Sequence, residues 1–296
     1  MGTAFLVLAI VIGALAAVYF ITVLLIAHGF ALPGKGAPCR TPEEFGVAYE
    51  DVTFPSSDGH RINAWYLKAP QSDVTIVVMH GGRAHRDDEA MDLLGLCASL
   101  AKRGFNVLTL DRRGCGHSAR TPFRDRAHLE RDFAGAVSYL RKRFYGSQRM
   151  FLFGNSVGAI AAFLYTAAHP DAGVRGIVAD SAFATKMGIA KRVLNGGLPG
   201  AGVLAYGSLW FGEKLFGLPH DDALDVVGSI RVPILFILGD SDKEIPVSDT
   251  EALLKISANP ADEKLIVPGA THSLSYRTAP DTVIDRVAAF VQKHQR

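Results

Sequence analysis

Six short apolar runs recur through the middle and end of this 296-residue chain. They are VTIVVMH (Val74–His80), NVLTLD (Asn106–Asp111), RMFLFG (Arg149–Gly154), VRGIVAD (Val174–Asp180), VPILFILGD (Val232–Asp240) and KLIVPG (Lys264–Gly269). Each is rich in Val, Ile, Leu or Phe, as strands buried on both faces are. Longer amphipathic stretches separate them, among them Asp88–Arg103, Ala127–Phe144 and Pro280–His294, and these read as helices. Strands and helices taking turns restrict the fold to α/β, with a mostly parallel central sheet flanked by helices. Ahead of the alternation, VAYEDVTF and RINAWYLKA are joined by Ser56-Ser57-Asp58-Gly59, a hairpin signature. Phe183 to Val226 interrupts the pattern. This glycine-rich segment carries Met187, Leu194, Leu198, Leu204, Tyr206, Leu209, Trp210, Phe211, Leu215 and Phe216, where a short connection would suffice. It reads as a helical cap inserted over the C-terminal edge of the sheet, with an ordinary crossover helix as the alternative.

The N-terminus is a different material. Thr3 to Ala27 contains no charged residue. As a helix it would extend about 37 Å, against a hydrocarbon core of about 30 Å. The run exceeds the apolar stretch of a cleaved signal peptide and lacks its basic start, although Ala27-His28-Gly29 would pass as a cleavage site. No polar face marks it as a core helix. Residues 1–27 therefore read as a single membrane anchor, 28–45 as a linker with Pro33, Gly34, Gly36, Pro38 and Pro42, and 46–296 as the folded domain. Lys35 and Arg40 after the span give a slight lean to a cytoplasmic domain.

Composition matters at three points. Apolar residues make up 49% of the chain, enough for a large core, and a formal net charge of +2 gives no reason to invoke nucleic acid. Cys39, Cys97 and Cys115 show no C-x-x-C spacing, so neither a disulfide framework nor a zinc site is expected.

The chemistry centres on GNSVG, Gly154 to Gly158. A bare Gly-x-Ser-x-Gly is weak, but here a strand precedes Ser156 and a helix former follows it. Such a turn holds the serine in a strained backbone conformation, where side chains two residues either side would collide, and aims a helix N-terminus at the hydroxyl. A serine needs a base. His272 lies in a loop after the last strand, and Asp240 and Asp242 follow the strand before it. The order Ser, Asp, His along the chain is that of one triad arrangement.

Taken together, VVMHGGR, LDRRGCGHS, GNSVG, ADSAF, LGDSDKEIP and GATHS fall in order after successive strands. From about Phe45 onward the chain resembles the serine-type α/β-hydrolases, and within them the membrane-tethered Bem46-like group and related bacterial esterases. The resemblance implies an α/β-hydrolase fold and a Ser-His-Asp triad. Its G-x-x-D-x-x-[VI]-P pattern falls on Gly239, Asp242, Ile245 and Pro246, making Asp242 the acid and Asp240 its neighbour. Ser156 would attack an acyl carbon, His272 would carry its proton, and backbone N–H groups of Val157 and Gly82 would hold the oxyanion. Asn155 stands where this group often has His or Glu. No cofactor or metal is implied. The expected activity is membrane-anchored hydrolysis of an ester or thioester with an apolar, lipid-like acyl group. Amide hydrolysis or acyl transfer is an alternative on the same triad, and a non-catalytic membrane-tethered binding protein is an alternative from another class.

Other polar residues read as structural. His80 and Asp111 sit at strand ends as loop organisers, and Cys115 as an inert loop residue. Asp87, Asp88 and Glu89 suggest a metal cluster less than a helix start, where acidic residues complement the dipole. His117, His128, His169 and His220 lack companions at ligand spacing, and Asp221-Asp222 reads as a helix cap.

Overall fold

The computed structural model describes residues 2–30, 32, 36–146, 148–194, 201–257 and 259–295. Pro33, Gly34, Lys35 and Leu198, each used in the sequence reading, lie outside the described residues. In chain order the elements are α1 (Gly2–Phe30), β1 (Tyr49–Pro55), β2 (Arg61–Leu67), β3 (Val74–Met79), α2 (Leu93–Lys102), β4 (Asn106–Leu110), α3 (Glu130–Arg143), β5 (Arg149–Asn155) and α4 (Val157–Ala168). Then follow β6 (Val174–Asp180), α5 (Lys186–Leu194), α6 (Ala201–Phe216), α7 (Ala223–Val226), β7 (Ile234–Gly239), α8 (Val247–Ser257), β8 (Glu263–Val267), α9 (Ser275–Thr278) and α10 (Pro280–His294).

The strands form one 8-stranded sheet in the order β1-β2-β4-β3-β5-β6-β7-β8. β1/β2 and β2/β4 pair antiparallel, and every pair from β4/β3 to β7/β8 is parallel. Apolar residues on both faces of the central strands explain the layers. Val77, Met79 and Leu152 face one side and pack with Phe133 of α3 and Ala159, Ala162 and Phe163 of α4. Ile76, Val78 and Phe153 face the other and pack with Leu94 and Cys97 of α2 and Val283, Val287 and Phe290 of α10. The order reverses between β3 and β5, opening a crevice at the carboxyl ends of the strands, where ligands bind in such sheets.

Three boundaries differ from the sequence reading. α1 runs past Ala27 to Phe30, and its C-terminal part packs on the body, with Val23 and Ala27 fully buried. The described part of the linker is docked, with Pro42–Phe45 a turn of 3-10 helix and Arg40 paired to Asp87 at 2.7 Å. The acidic run does not open α2, which starts only at Leu93. Asp87 is instead buried, accepting the backbone N–H groups of Cys39 and Arg40 as well as the guanidinium, and Asp92 sits at φ 50°. A buried carboxylate with three donors outweighs the helix-terminal benefit, and a left-handed residue cannot continue a helix.

Between β6 and β7, α5, α6 and α7 occupy the segment read as a cap. Asp222 opens α7 through a reciprocal capping box with Asp225.

Candidate active site

β5 ends at Asn155, and α4 begins at Val157. Ser156 between them has φ 51° and ψ −115°, a conformation non-glycine residues adopt only when their surroundings impose it. The constraint is visible at Gly158. A Cβ there would lie 2.6 Å from the Met79 carbonyl oxygen and 3.0 Å from that of His80. A Cβ on Gly154 would run into the backbone of Gly158 and Ala159. The helix therefore turns against β3 and β5 only because both positions are glycine. The Ser156 N–H donates to the Asp180 carbonyl at 2.8 Å, tying the corner to β6.

His272 and Asp242 come from the loops after β8 and β7. His272 Nε2 lies 3.2 Å from Ser156 Oγ, and His272 Nδ1 lies 2.8 Å from Asp242 Oδ2. Asp242 Oδ1 accepts the N–H groups of Glu244 and Ile245, both at 2.8 Å. That fixes the carboxylate and leaves Oδ2 for the imidazole, so Nδ1 carries the proton and Nε2 faces the hydroxyl as an acceptor. Burial works against a charged His272. The hydrogen bond and charge of Asp242, with the charges of Glu244 and Asp180, outweigh it and hold the imidazole above the ordinary histidine range. Ser156 is 8% exposed, enough for a small reactant to meet the hydroxyl.

Asp240 points elsewhere. Its Oδ1 accepts the Gly269 N–H at 2.7 Å and the Ser241 hydroxyl at 3.1 Å, making it a brace for the loop.

Gly82 and Val157 line one cavity of about 110 Å³. The Val157 N–H belongs to the first turn of α4, where intrahelical acceptors are lacking. The cavity wall is largely apolar, with Leu129, Ile160, Leu164, Phe183 and Leu218 among its residues. Phe183 and Leu218 come from the β6–β7 insertion, and Phe30, at the end of α1, also lines it.

Asp180 and Ser181, in the ADSAF stretch, have no role legible in the sequence; in the structure they lie under the His272 loop. Ser181 Oγ accepts the Ser273 N–H at 3.1 Å and donates to Asp180 Oδ1 at 3.2 Å, while Ser275 Oγ donates to the same oxygen at 3.0 Å. Ser181 and Ser273 have positive φ, 54° and 61°. Complete burial pushes the Asp180 carboxyl up to about 6, against the opposing hydrogen bonds of Ser275 and Ser181, the nearby His272 and the Asn155 amide. Asn155 is buried, with Nδ2 3.4 Å from Asp180 Oδ2, so its side chain belongs to this support. An Asp-Ser pair closing a strand beside the elbow strand was the available signal.

The remaining candidates are structural. His80 is buried, donates from Nδ1 to the Gly81 carbonyl and accepts the Arg112 N–H at Nε2 at 3.1 Å, and burial followed by the Arg112 charge keeps it neutral. Asp111 accepts Arg86 and the His117 N–H, organising the loop after β4. Cys115 is buried. His220 is exposed beside Glu213.

Comparison with known proteins agrees with this architecture. The family model for serine aminopeptidase, S33 (Hydrolase_4) matches residues 70–205, spanning Ser156 but stopping short of Asp242 and His272. The uncharacterized protein YfhR of Escherichia coli K12 is 29% identical over 229 residues, covering 75% of this chain and 73% of YfhR. The α/β hydrolase domain-containing protein WAV2 of Arabidopsis thaliana is 24% identical over 279 residues, covering 89% and 85%. Among solved structures, an esterase of Pyrococcus furiosus superposes with a TM-score of 0.73 at 22% identity, over 90% of this chain and 98% of that one. Est1E of Butyrivibrio proteoclasticus, solved with ferulic acid bound, gives 0.63 at 18% identity, over 82% and 99%. By its sheet order and its likeness to these solved structures, the chain has the α/β-hydrolase fold.

Proposed function

We propose that the chain is a membrane-anchored serine hydrolase that cleaves carboxylic esters or thioesters with an apolar acyl group. The observation that carries this reading is the chain of contacts from Ser156 Oγ through His272 to Asp242, at 3.2 and 2.8 Å, on a serine held at φ 51°.

Ser156 Oγ attacks the acyl carbon while its proton passes to His272 Nε2. The carbonyl oxygen becomes an oxyanion facing the N–H groups of Val157 and Gly82. Asp242 stabilises the imidazolium through Nδ1–H. Collapse breaks the bond to the leaving alcohol or thiol, which takes the proton from Nε2, and leaves an acyl-Ser156 ester. Water then attacks with His272 as base, the second oxyanion collapses, and Ser156 recovers its proton as the acid departs. The cavity beside Val157 has a largely apolar wall that suits an acyl chain, with Arg112, Arg126, Glu130, Lys186 and Asp221 also among its lining residues.

The anchor reading draws support from packing. α1 is long and apolar enough to cross a membrane. Tyr19 Oη donates to the Val203 carbonyl at 3.2 Å, and Val23 and Ala27 are buried against the body, so the distal part of α1 belongs to the fold and is unsuited to removal as a signal peptide. The name of the matching family model favours amide bonds as a second reading.

Labelling with a fluorophosphonate probe, beside a Ser156→Ala control and with mapping of the modified peptide, tests the nucleophile. Modification at Ser156, absent in the control, is expected. A folded protein that takes up no probe would sink the hydrolase reading in favour of a binding protein. Matched esters and anilides of one acyl chain then separate esterase from amidase.

A further inference from the structure

We propose that α6 is a second membrane-contacting element, seating Val203, Tyr206 and Trp210 in the headgroup boundary of the bilayer that α1 spans. The inference rests on the membrane-anchor part of the functional reading and is independent of whether Ser156 reacts.

Position makes the first argument. α1 is solvent-exposed from Gly2 to Val18, and its packing on the body begins at Tyr19. A spanning α1 leaves the body there, so whatever packs beside Tyr19 lies at the membrane boundary. The neighbour is α6, running parallel to α1. Tyr19 meets Val203 and Gly207, Phe20 meets Phe211, and His28 meets Phe216. The N-terminal end of α6 is thus the end nearest the bilayer.

The second argument is chemical and comes from the side of α6 turned away from the body. Val203, Tyr206 and Trp210 are 62%, 67% and 50% exposed and share one face at helical spacing. No charged residue occurs on α6 before Glu213. Tyr and Trp favour the membrane–water interface, where an apolar ring and a polar tip are both satisfied. Lys191, whose side chain reaches Gly202, stands at this same level as a cation for lipid phosphates. The apolar face continues the exposed side of α1, so the bilayer is the occupant that covers both. The exit of the pair also borders the cavity, since Phe30 of α1 and Leu218, just beyond α6, both line it.

Tryptophan fluorescence reads this directly, because the chain has two tryptophans and only Trp210 is exposed. Trp65 is 3% exposed, with its indole N–H on Asp51, and serves as an internal reference. The full chain is reconstituted into phosphatidylcholine vesicles brominated either near the headgroup or near the chain end. The expected result is loss of the Trp210 emission, strongest with bromine near the headgroup, and no such loss in Trp210→Phe. A second variant, Tyr206→Asp, should lower turnover of a vesicle-borne long-chain ester roughly ten-fold, equivalent to about 1.4 kcal/mol. It should leave a short soluble ester and probe labelling unchanged. Unquenched Trp210 in inserted protein would overturn the proposal, and a dimer in which Trp210 is shielded would assign the face to a second copy of the chain. Quenching with no probe labelling would retain the membrane contact and reject only the hydrolase reading.

Discussion

The corner at Ser156 and the insertion between β6 and β7 are both made of small and apolar residues, yet they are built under opposite constraints. At the corner the atoms nearest a Cβ on Gly154 or Gly158 are all backbone. Gly158 faces the carbonyl oxygens of Met79 and His80, and Ser156 is held at φ 51° by contacts it cannot escape. In the insertion the same residue types leave surface uncovered, with Val203, Tyr206 and Trp210 open on α6. On the proposed reading, the first region determines which atom reacts. The second lines the cavity with Phe183 and Leu218 and so bears on which substrate reaches that atom.

Changes at the corner should have the largest effects. Removing the base by His272→Ala should lower turnover by about 10⁶-fold, with the melting transition little changed, because such units lose nearly everything with one member. Asp242→Asn should cost about 10⁴-fold. Its amide oxygen can keep the Glu244 and Ile245 N–H bonds, which turns the NH₂ group toward His272 Nδ1 and moves the imidazole proton to the wrong nitrogen. The pH profile sharpens the point. His272 must be neutral to accept a proton, so kcat/KM should rise with pH and reach half its plateau above the ordinary histidine value of about 6.5. In Asp242→Asn the hydrogen bond and charge that raise this value are lost while burial remains, so the inflection of the residual activity should move down. A wild-type inflection at or below that of the variant would contradict the geometry.

Two glycine substitutions set the regions directly against each other. Gly158→Ala places a methyl against backbone and should destabilise by about 1–3 kcal/mol, with activity falling alongside. Gly202→Ala, at an exposed position in the first turn of α6, meets only the flexible end of Lys191 at 3.8 Å and should stabilise by about 0.4–1 kcal/mol through the unfolded chain. Urea midpoints of the two variants should move in opposite directions; movement in the same direction would erase the distinction. Between them in character lies Leu164→Trp, which fills the cavity from α4. It should shift preference from long to short acyl chains roughly ten-fold, since one methylene in an apolar pocket is worth about 1–3 kcal/mol.

The uneven legibility of the sequence follows the same division. The parallel strands could be read because burial on both faces demands continuous Val, Ile and Leu, and the turn at Ser156 because it admits only glycine at two flanking positions. What could not be read depends on partners distant in sequence. Asp87 looked like a helix start until Arg40, far earlier in the chain, supplied its counterion. Asp180 and Ser181 gain their meaning from Ser273 and Ser275, which local pattern cannot reach. The packing of α1 on α6 is likewise invisible to periodicity, because both helices are apolar nearly all round.

Asp240→Asn should have the smallest effect and separates neighbours two residues apart. Asp240 accepts the Gly269 N–H at 2.7 Å through Oδ1, an acceptor that asparagine also offers. Only the charge is lost, at a partly solvated loop, where such changes stay within about 0.5 kcal/mol. Turnover, its pH inflection and probe labelling should all remain close to the parent values. If Asp240→Asn instead lowered turnover as far as Asp242→Asn, the carboxylate reaching His272 would not be the one whose other oxygen is pinned by Glu244 and Ile245. Tight constraint at the corner would then not extend to the loop after β7, and the acid would be supplied by a mobile segment.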